Sequence, residues 1–204
     1  MRHLLVTNDY PPKVGGIQSY LWEIYRRLPQ DKIVVYTTPH PDSESFDQQQ
    51  THKIIRSKQR VLLPIKQVAN QIRSVAKDED IDFIMYDPAV PIGMLGPKIR
   101  IPYGVILHGA EVTIPGRVPI ARALIANVLQ NAKLVVTAGD YSTKEAIRAA
   151  KQDLPICVIP PGVDIDRFKP LDEQTRSTAR GRFNFRDDDE VILSLSRLVP
   201  RKGM

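Results

Sequence analysis

The sequence predicts an α/β protein built on a Rossmann-like, doubly wound parallel sheet. Short apolar runs of strand length alternate with amphipathic runs of helix length, at the spacing of βαβ units. The first unit turns from strand to helix through two adjacent glycines, in VTNDYPPKVGGIQSY, Val6 to Tyr20. Polar residues cluster after the expected strand ends, where a doubly wound sheet has its ligand crevice.

The elements follow in order. His3 to Thr7 reads as a buried strand, and Ile17 to Leu28 as a helix with Ile17, Tyr20, Leu21, Ile24 and Leu28 on one face. Lys32 to Thr37 is the next strand, Pro39 to Gln50 a polar loop without regular structure, and His52 to Arg56 a further strand. Pro64 to Ala76 predicts a helix with Ile65, Val68, Ala69, Ile72 and Ala76 inward. DFIMYD predicts a strand, Pro91 to Lys98 a short helix, and Tyr103 to Leu107 a strand. A helix from Val118 to Asn131 and a strand from Leu134 to Thr137 come next. Ser142 with Glu145 matches a capping box at the start of another helix, and Ile156 to Ile159 completes the series. Beyond it lie a polar helix-like segment, Asp172 to Phe183, and a fresh buried strand, Val191 to Leu195. That strand predicts the opening of a second α/β domain, dividing the chain into 1–170 and 171–204 with the second part truncated.

With 204 residues, 42% hydrophobic and 25% charged, the composition is that of a soluble globular protein. No apolar run approaches the roughly 20 residues of a membrane span, and MRH leads straight into LLVT without a signal segment. The expected location is cytoplasmic. The single cysteine, Cys157 in PICVIP, is expected to fill core space. A net charge of +6 favours an acidic partner: nucleotide, nucleic acid or anionic lipid.

Three stretches carry chemistry. Gly15 and Gly16 lack Cβ atoms, so the backbone there can adopt φ > 0 and approach a ligand while the following helix aims unpaired N–H groups at it. The competing reading is a tight turn. His108, Gly109 and Glu111 stand directly after a strand, a place suited to ligand contact. Lys53 to Lys77 carries Arg56, Lys58, Arg60, Lys66, Arg73 and Lys77 with no acidic residue. Such a segment can lie on an anionic membrane or form a solvated face. It lacks interleaved aromatic residues for base stacking, and no nucleic acid partner is expected. No His/Cys cluster has metal-ligand spacing, and no metal is expected.

Taken together and in order, TNDYPPKVGGIQSYL, LHGAEV, AGDYSTKEAI, PPGVDIDRFKP and ILSLSRLVPRKGM resemble the retaining GT-B glycosyltransferases of family 4. Within it the opening loop is most similar to actinobacterial phosphatidyl-myo-inositol mannosyltransferases, which use GDP-mannose. The resemblance implies two Rossmann-like domains, the first receiving the acceptor. It implies Gly15 and Gly16 near the donor diphosphate, and Asp9 and Tyr10 on the acceptor side. His108 is implied as a partner of the transferred sugar, with Glu111 either orienting it or capping its loop. Arg197 and Lys202 match the basic pair that grips the departing diphosphate, which makes a metal unnecessary. The implied reaction is transfer of a hexose to a lipid-linked acceptor by a protein peripheral to the inner membrane face, turnover requiring residues beyond Met204. A UDP-sugar enzyme with a soluble acceptor and a non-catalytic nucleotide- or polyanion-binding module are the alternatives; oligomeric state is left open.

Overall fold

The computed structural model describes residues 1–109 and 119–195. The chain divides into two compact units, Met1–Pro161 and Gly162–Met204.

The first unit is a seven-stranded sheet: β1 (His3–Thr7), β2 (Ile33–Thr37), β3 (Lys53–Arg56), β4 (Phe83–Asp87), β5 (Tyr103–Leu107), β6 (Leu134–Thr137) and β7 (Ile156–Val158). The spatial order is β3-β2-β1-β4-β5-β6-β7, and every pairing is parallel. The order reverses between β1 and β4, so the topological switch point lies there. This is the Rossmann-like fold expected from the sequence.

The central strands are apolar at nearly every position because both sheet faces are covered. Alternate residues feed two cores. Leu4, Val6, Val34, Ile84, Val105 and Val135 pack with α3 (Lys66–Asp78), α5 (Pro119–Asn131) and α6 (Asp140–Ala150). Leu5, Val35, Met85, Ile106 and Val136 pack with Leu21 and Tyr25 of α1 (Gly16–Tyr25). The short helices α2 (Ser43–Asp47) and α4 (Gly96–Ile99) follow α1 and α3 along the chain. Among the described residues no helix is long and apolar enough to cross a membrane.

Several boundaries differ from the sequence expectation. Helix α1 stops at Tyr25 because Arg27 and Leu28 form tighter bonds three residues back, to Ile24 and Tyr25, ahead of Pro29. The loop from Pro39 to Gln50 contains α2, whose single apolar side chain, Phe46, packs on the core but is too little to make a periodic signal. Helix α3 starts after Pro64, since Ile65 is extended and half exposed instead of in the buried stripe. Ser142 lies inside α6 and donates to the Gly139 carbonyl at 2.9 Å, so the capping box is not formed. Cys157 is exposed because β7 is an edge strand.

In the second unit α7 (Glu173–Gly181) is capped by Asp172, whose carboxylate accepts from the Thr175 N–H at 2.8 Å. Residues 191–195 form no strand and are exposed, overturning the expected buried strand; a strand exists only by pairing, and these residues have no ladder partner among those described.

Candidate active site

The site grows from the switch point. Thr7 ends β1 and is in register with Asp87, which ends β4. Both are fully buried. The Asp87 carboxylate accepts from the Thr7 hydroxyl at 2.7 Å and meets His108 Nε2 at 2.5 Å. Thr7 Oγ1 in turn accepts from the Asp9 N–H at 2.8 Å. His108 directly follows β5, and Gly109 beside it has φ 106°, a conformation that L side chains rarely adopt. Tyr20 of α1 meets that ring edge-on, with centroids 5.7 Å apart, and its hydroxyl donates to the Ile159 carbonyl at 2.7 Å. Burial, followed by the charge of Asp87, pushes Tyr20 up to about 12, so it stays a neutral donor near neutral pH.

The loop from Asn8 to Gly16 borders this group. Asn8 clamps the backbone of Leu62, donating to its carbonyl at 3.1 Å and accepting from its N–H at 2.7 Å. Lys13 donates to the Asn8 carbonyl at 2.7 Å and to Thr38 at 3.0 Å. Asp9 accepts from Gln18 at 2.7 Å. Burial and the neighbouring Asp87 carboxylate raise Asp9 above the ordinary carboxylate range, against smaller lowering by Lys13, His108 and Gln18.

The glycine pair works differently from the expectation. Gly15 has φ 167°, extended backbone open to any residue, so no left-handed turn is required there. Its missing side chain leaves room for the Gln18 amide, which a Cβ would strike. Around Gly16 a Cβ would meet nothing within 4 Å, and no side chain caps the helix start. The first N–H groups of α1 are therefore left open to an anion.

Two of the expected site residues take other roles. Tyr10 does not line an acceptor surface: it is fully buried, with its hydroxyl 2.9 Å from His52 Nε2 and its ring edge-on to Phe46. Arg56 is not membrane-facing. Its guanidinium engages both oxygens of Asp47 at 2.6 and 3.0 Å and donates to the carbonyls of Pro11 and Thr38 at 2.7 and 3.1 Å. Arg73 is exposed but donates to the Lys98 carbonyl at 2.9 Å, tying α3 to α4. Lys58, Arg60, Lys66 and Lys77 are exposed. Glu111, Arg197 and Lys202 lie outside the described residues.

The structure thus brings Asp9, Gly15, Gly16 and His108 to one end of the sheet and adds Thr7, Gln18, Tyr20 and Asp87, which the sequence reading did not single out. The available signal for Asp87 was a carboxylate closing an otherwise apolar strand, FIMYD.

A parallel sheet with buried polar residues and an open helix start at its switch point defines a Rossmann-like ligand-binding domain. The model for Glycosyltransferase Family 4 matches residues 14–167, and the chain belongs to that family. It is 33% identical, over 98% of its length and 54% of the relative's, to the GDP-mannose-dependent alpha-(1-6)-phosphatidylinositol monomannoside mannosyltransferase of Mycolicibacterium smegmatis. A Corynebacterium glutamicum enzyme described as acting on the monoacylated form of that monomannoside is 28% identical over 98% of this chain and 54% of its own. Among solved structures, Anabaena HepE in complex with UDP has a TM-score of 0.67 at 20% identity, covering 90% of this chain and 50% of that one. Sucrose-phosphate synthase from Thermosynechococcus elongatus has a TM-score of 0.69 at 16% identity, covering 99% and 57%. The chain spans about half the length of the relatives it matches.

Proposed function

We propose that this chain is the acceptor-side half of a retaining hexosyltransferase that moves mannose from GDP-mannose to a phosphatidylinositol mannoside at an anionic membrane surface. The observation that carries the reading is the open start of α1 at Gly16, reached by the same loop whose Asp9 joins the hydrogen-bonded group of Thr7, Asp87 and His108. The names of the relatives supply the donor and acceptor.

In this reading the N–H groups at Gly15 and Gly16 receive the donor diphosphate, and His108 hydrogen-bonds the transferred sugar. Asp9 faces the acceptor. The bond between the anomeric carbon and the diphosphate oxygen breaks, the acceptor oxygen bonds to that carbon from the same face, and the acceptor proton passes to the departing phosphate. Arg197 and Lys202 are assigned to that leaving group by resemblance. No metal is assigned, because two cations supply the neutralisation that a metal would.

The membrane surface is assigned to the connection between β3 and α3. There Val61, Leu63 and Ile65 are 54%, 46% and 46% exposed, while Leu62 between them is fully buried and held by Asn8. Lys58, Arg60 and Lys66 flank these apolar side chains and are exposed. Apolar tips among cations match the chemistry of an anionic lipid interface.

The test is a donor and acceptor screen on the full-length protein. GDP release with GDP-mannose and a phosphatidylinositol mannoside, with an α-anomeric product by NMR, is the expected result. Turnover of a UDP-sugar onto a soluble acceptor, with none from GDP-mannose, would refute the donor and acceptor assignment. No turnover with any sugar nucleotide, alongside nucleotide binding, would favour a non-catalytic module.

A further inference from the structure

We propose that His52 is a positioning residue for the loop between β1 and α1: Gln30 holds it as the Nδ1–H tautomer, its Nε2 lone pair latches the Tyr10 hydroxyl, and a proton on the ring opens the latch. The direction of each hydrogen bond follows from groups that can play only one part. The Gln30 side-chain nitrogen donates to the Tyr25 and Leu28 carbonyls at 2.9 and 2.5 Å. Carbonyl oxygens only accept, so the amide cannot be turned the other way, and Gln30 Oε1 faces the opposite side. There it accepts from the Thr51 hydroxyl at 2.9 Å and meets His52 Nδ1 at 2.8 Å. Nδ1 therefore carries the hydrogen, and in the neutral ring Nε2 carries the lone pair. Nε2 accepts the Tyr10 hydroxyl at 2.9 Å.

Burial gives the latch its force. Tyr10 is fully buried and His52 is 4% exposed. The Tyr10 ring packs edge-on against Phe46 and against His52, with centroids 6.4 and 6.1 Å apart. Among the described residues His52 is the one hydrogen-bond partner of the Tyr10 hydroxyl. When Nε2 takes a proton it becomes a donor. The phenol oxygen can accept from it, but the phenol hydrogen then has no acceptor, which a buried site penalises. Three other groups face this pair. The Asp47 carboxylate of α2 favours the imidazolium, Arg56 of β3 pairs with that carboxylate, and Tyr25 of α1 is kept neutral by burial. Burial outweighs Asp47, so the ring sheds its proton more readily than a free histidine and the latch is closed at neutral pH.

Tyr10 stands in the first half of the loop, between two other ties. Asp9 before it is held by Thr7, and Pro11 after it by Arg56. Opening the latch removes the tie between them and loosens the segment that leads on to Gly16. In the hexosyltransferase reading the N–H groups at the end of that segment receive the donor diphosphate, so an opened latch weakens donor binding and leaves the chemical step unchanged. Only this consequence rests on the hexosyltransferase reading; the tautomer and the latch do not.

The experiment is 1H–15N correlation NMR on 15N-labelled full-length protein, titrated from about pH 8 to about pH 5, the range in which histidines change charge. Long-range spectra read the His52 ring, assigned by the signal lost in His52→Gln, and amide spectra read Gly15 and Gly16. The expected results are Nδ1–H in the neutral ring and glycine amide signals that shift with the midpoint of His52. In Tyr10→Phe the ring keeps Nδ1–H, because Gln30 sets it, and the glycine signals stop following the histidine. Nε2–H in the wild type, a His52 that stays neutral until the protein unfolds, or glycine amides indifferent to its proton would overturn the proposal; the wild-type spectra decide it if the variant does not fold. In the kinetic arm the KM for GDP-mannose rises about 5-fold through the same midpoint at constant kcat, the order of one lost hydrogen bond, and Tyr10→Phe lacks that step. The expected spectra with no sugar transfer by the wild type would remove the hexosyltransferase reading and leave the latch standing.

Discussion

Replacing Gly16 with valine separates the helix start as a ligand site from the helix start as a structural turn. A Cβ there meets nothing within 4 Å, so the fold has room for the larger side chain. Gly16 is also the first residue of α1, where valine carries no penalty relative to glycine. The expected change in stability is therefore within about 0.5 kcal/mol, as for surface substitutions generally. An anion approaching the same N–H groups meets the isopropyl group instead. A hydrogen bond to a charged acceptor contributes about 1.5–3 kcal/mol, so losing one lowers kcat/KM for the donor by about 10–150-fold.

Initial rates of GDP release against GDP-mannose concentration, measured on full-length protein beside a thermal melt, read both quantities. A Gly16→Ala variant with an intermediate loss would support the steric origin. Unchanged kcat/KM with an unchanged melt would remove the helix start from the mechanism. Loss of activity together with a large drop in melting temperature would contradict the open space at Gly16.

Arg56→Met removes four hydrogen bonds of a largely buried guanidinium and strands Asp47, so unfolding should become easier by about 1–3 kcal/mol; an unchanged denaturation midpoint would refute the clamp. The K58Q/R60Q/K66Q triple variant should leave the midpoint unchanged and weaken sedimentation with phosphatidylinositol-containing vesicles by about two orders of magnitude, at about 1 kcal/mol per basic residue. Equal sedimentation would remove this face from the membrane assignment. Burial lowers His52 below its ordinary 6.5, so its contribution to stability is complete above that value and is lost as pH falls below it, when the unfolded chain takes up the proton first. The melting temperature of His52→Gln should therefore decline less steeply with acid than that of the wild type, and parallel curves would refute this.

The strands were readable in advance because a sheet covered on both faces writes nearly continuous apolar runs. β1, β5 and β6 have the limits the sequence indicates. The site was readable only where one residue type signals locally, as with the glycine pair and the histidine at a strand end. Asp87 gave no such signal, because Asp-Pro after a strand also marks an ordinary turn, and its partner Thr7 is 80 residues away. Arg56 misled for a similar reason. Its neighbours in sequence are cations, while the groups that bind it arrive from α2 and from the loops at Pro11 and Thr38. Tyr10 sits in a polar loop, yet its partner His52 lies 42 residues on. Register between distant strands, which decides these pairings, has no local code.

The anchors along the loop between β1 and α1 divide the labour of the site. Asn8 is tied to Leu62, Asp9 to Thr7, Tyr10 to His52, Pro11 to Arg56 and Lys13 to Thr38. Beyond them Gly16, at the end of the loop, faces open space. A loop anchored this densely is already ordered, so an incoming anion meets N–H groups that need no further fixing, and little binding energy is spent on arranging them. Perturbations should accordingly fall into three kinds. Variants at Arg56 or His52 loosen the anchors and move stability and donor affinity together. Gly16 variants move donor affinity alone. Asp87→Asn removes the carboxylate that meets His108 and moves kcat, because that carboxylate contacts the imidazole rather than the loop that receives the anion.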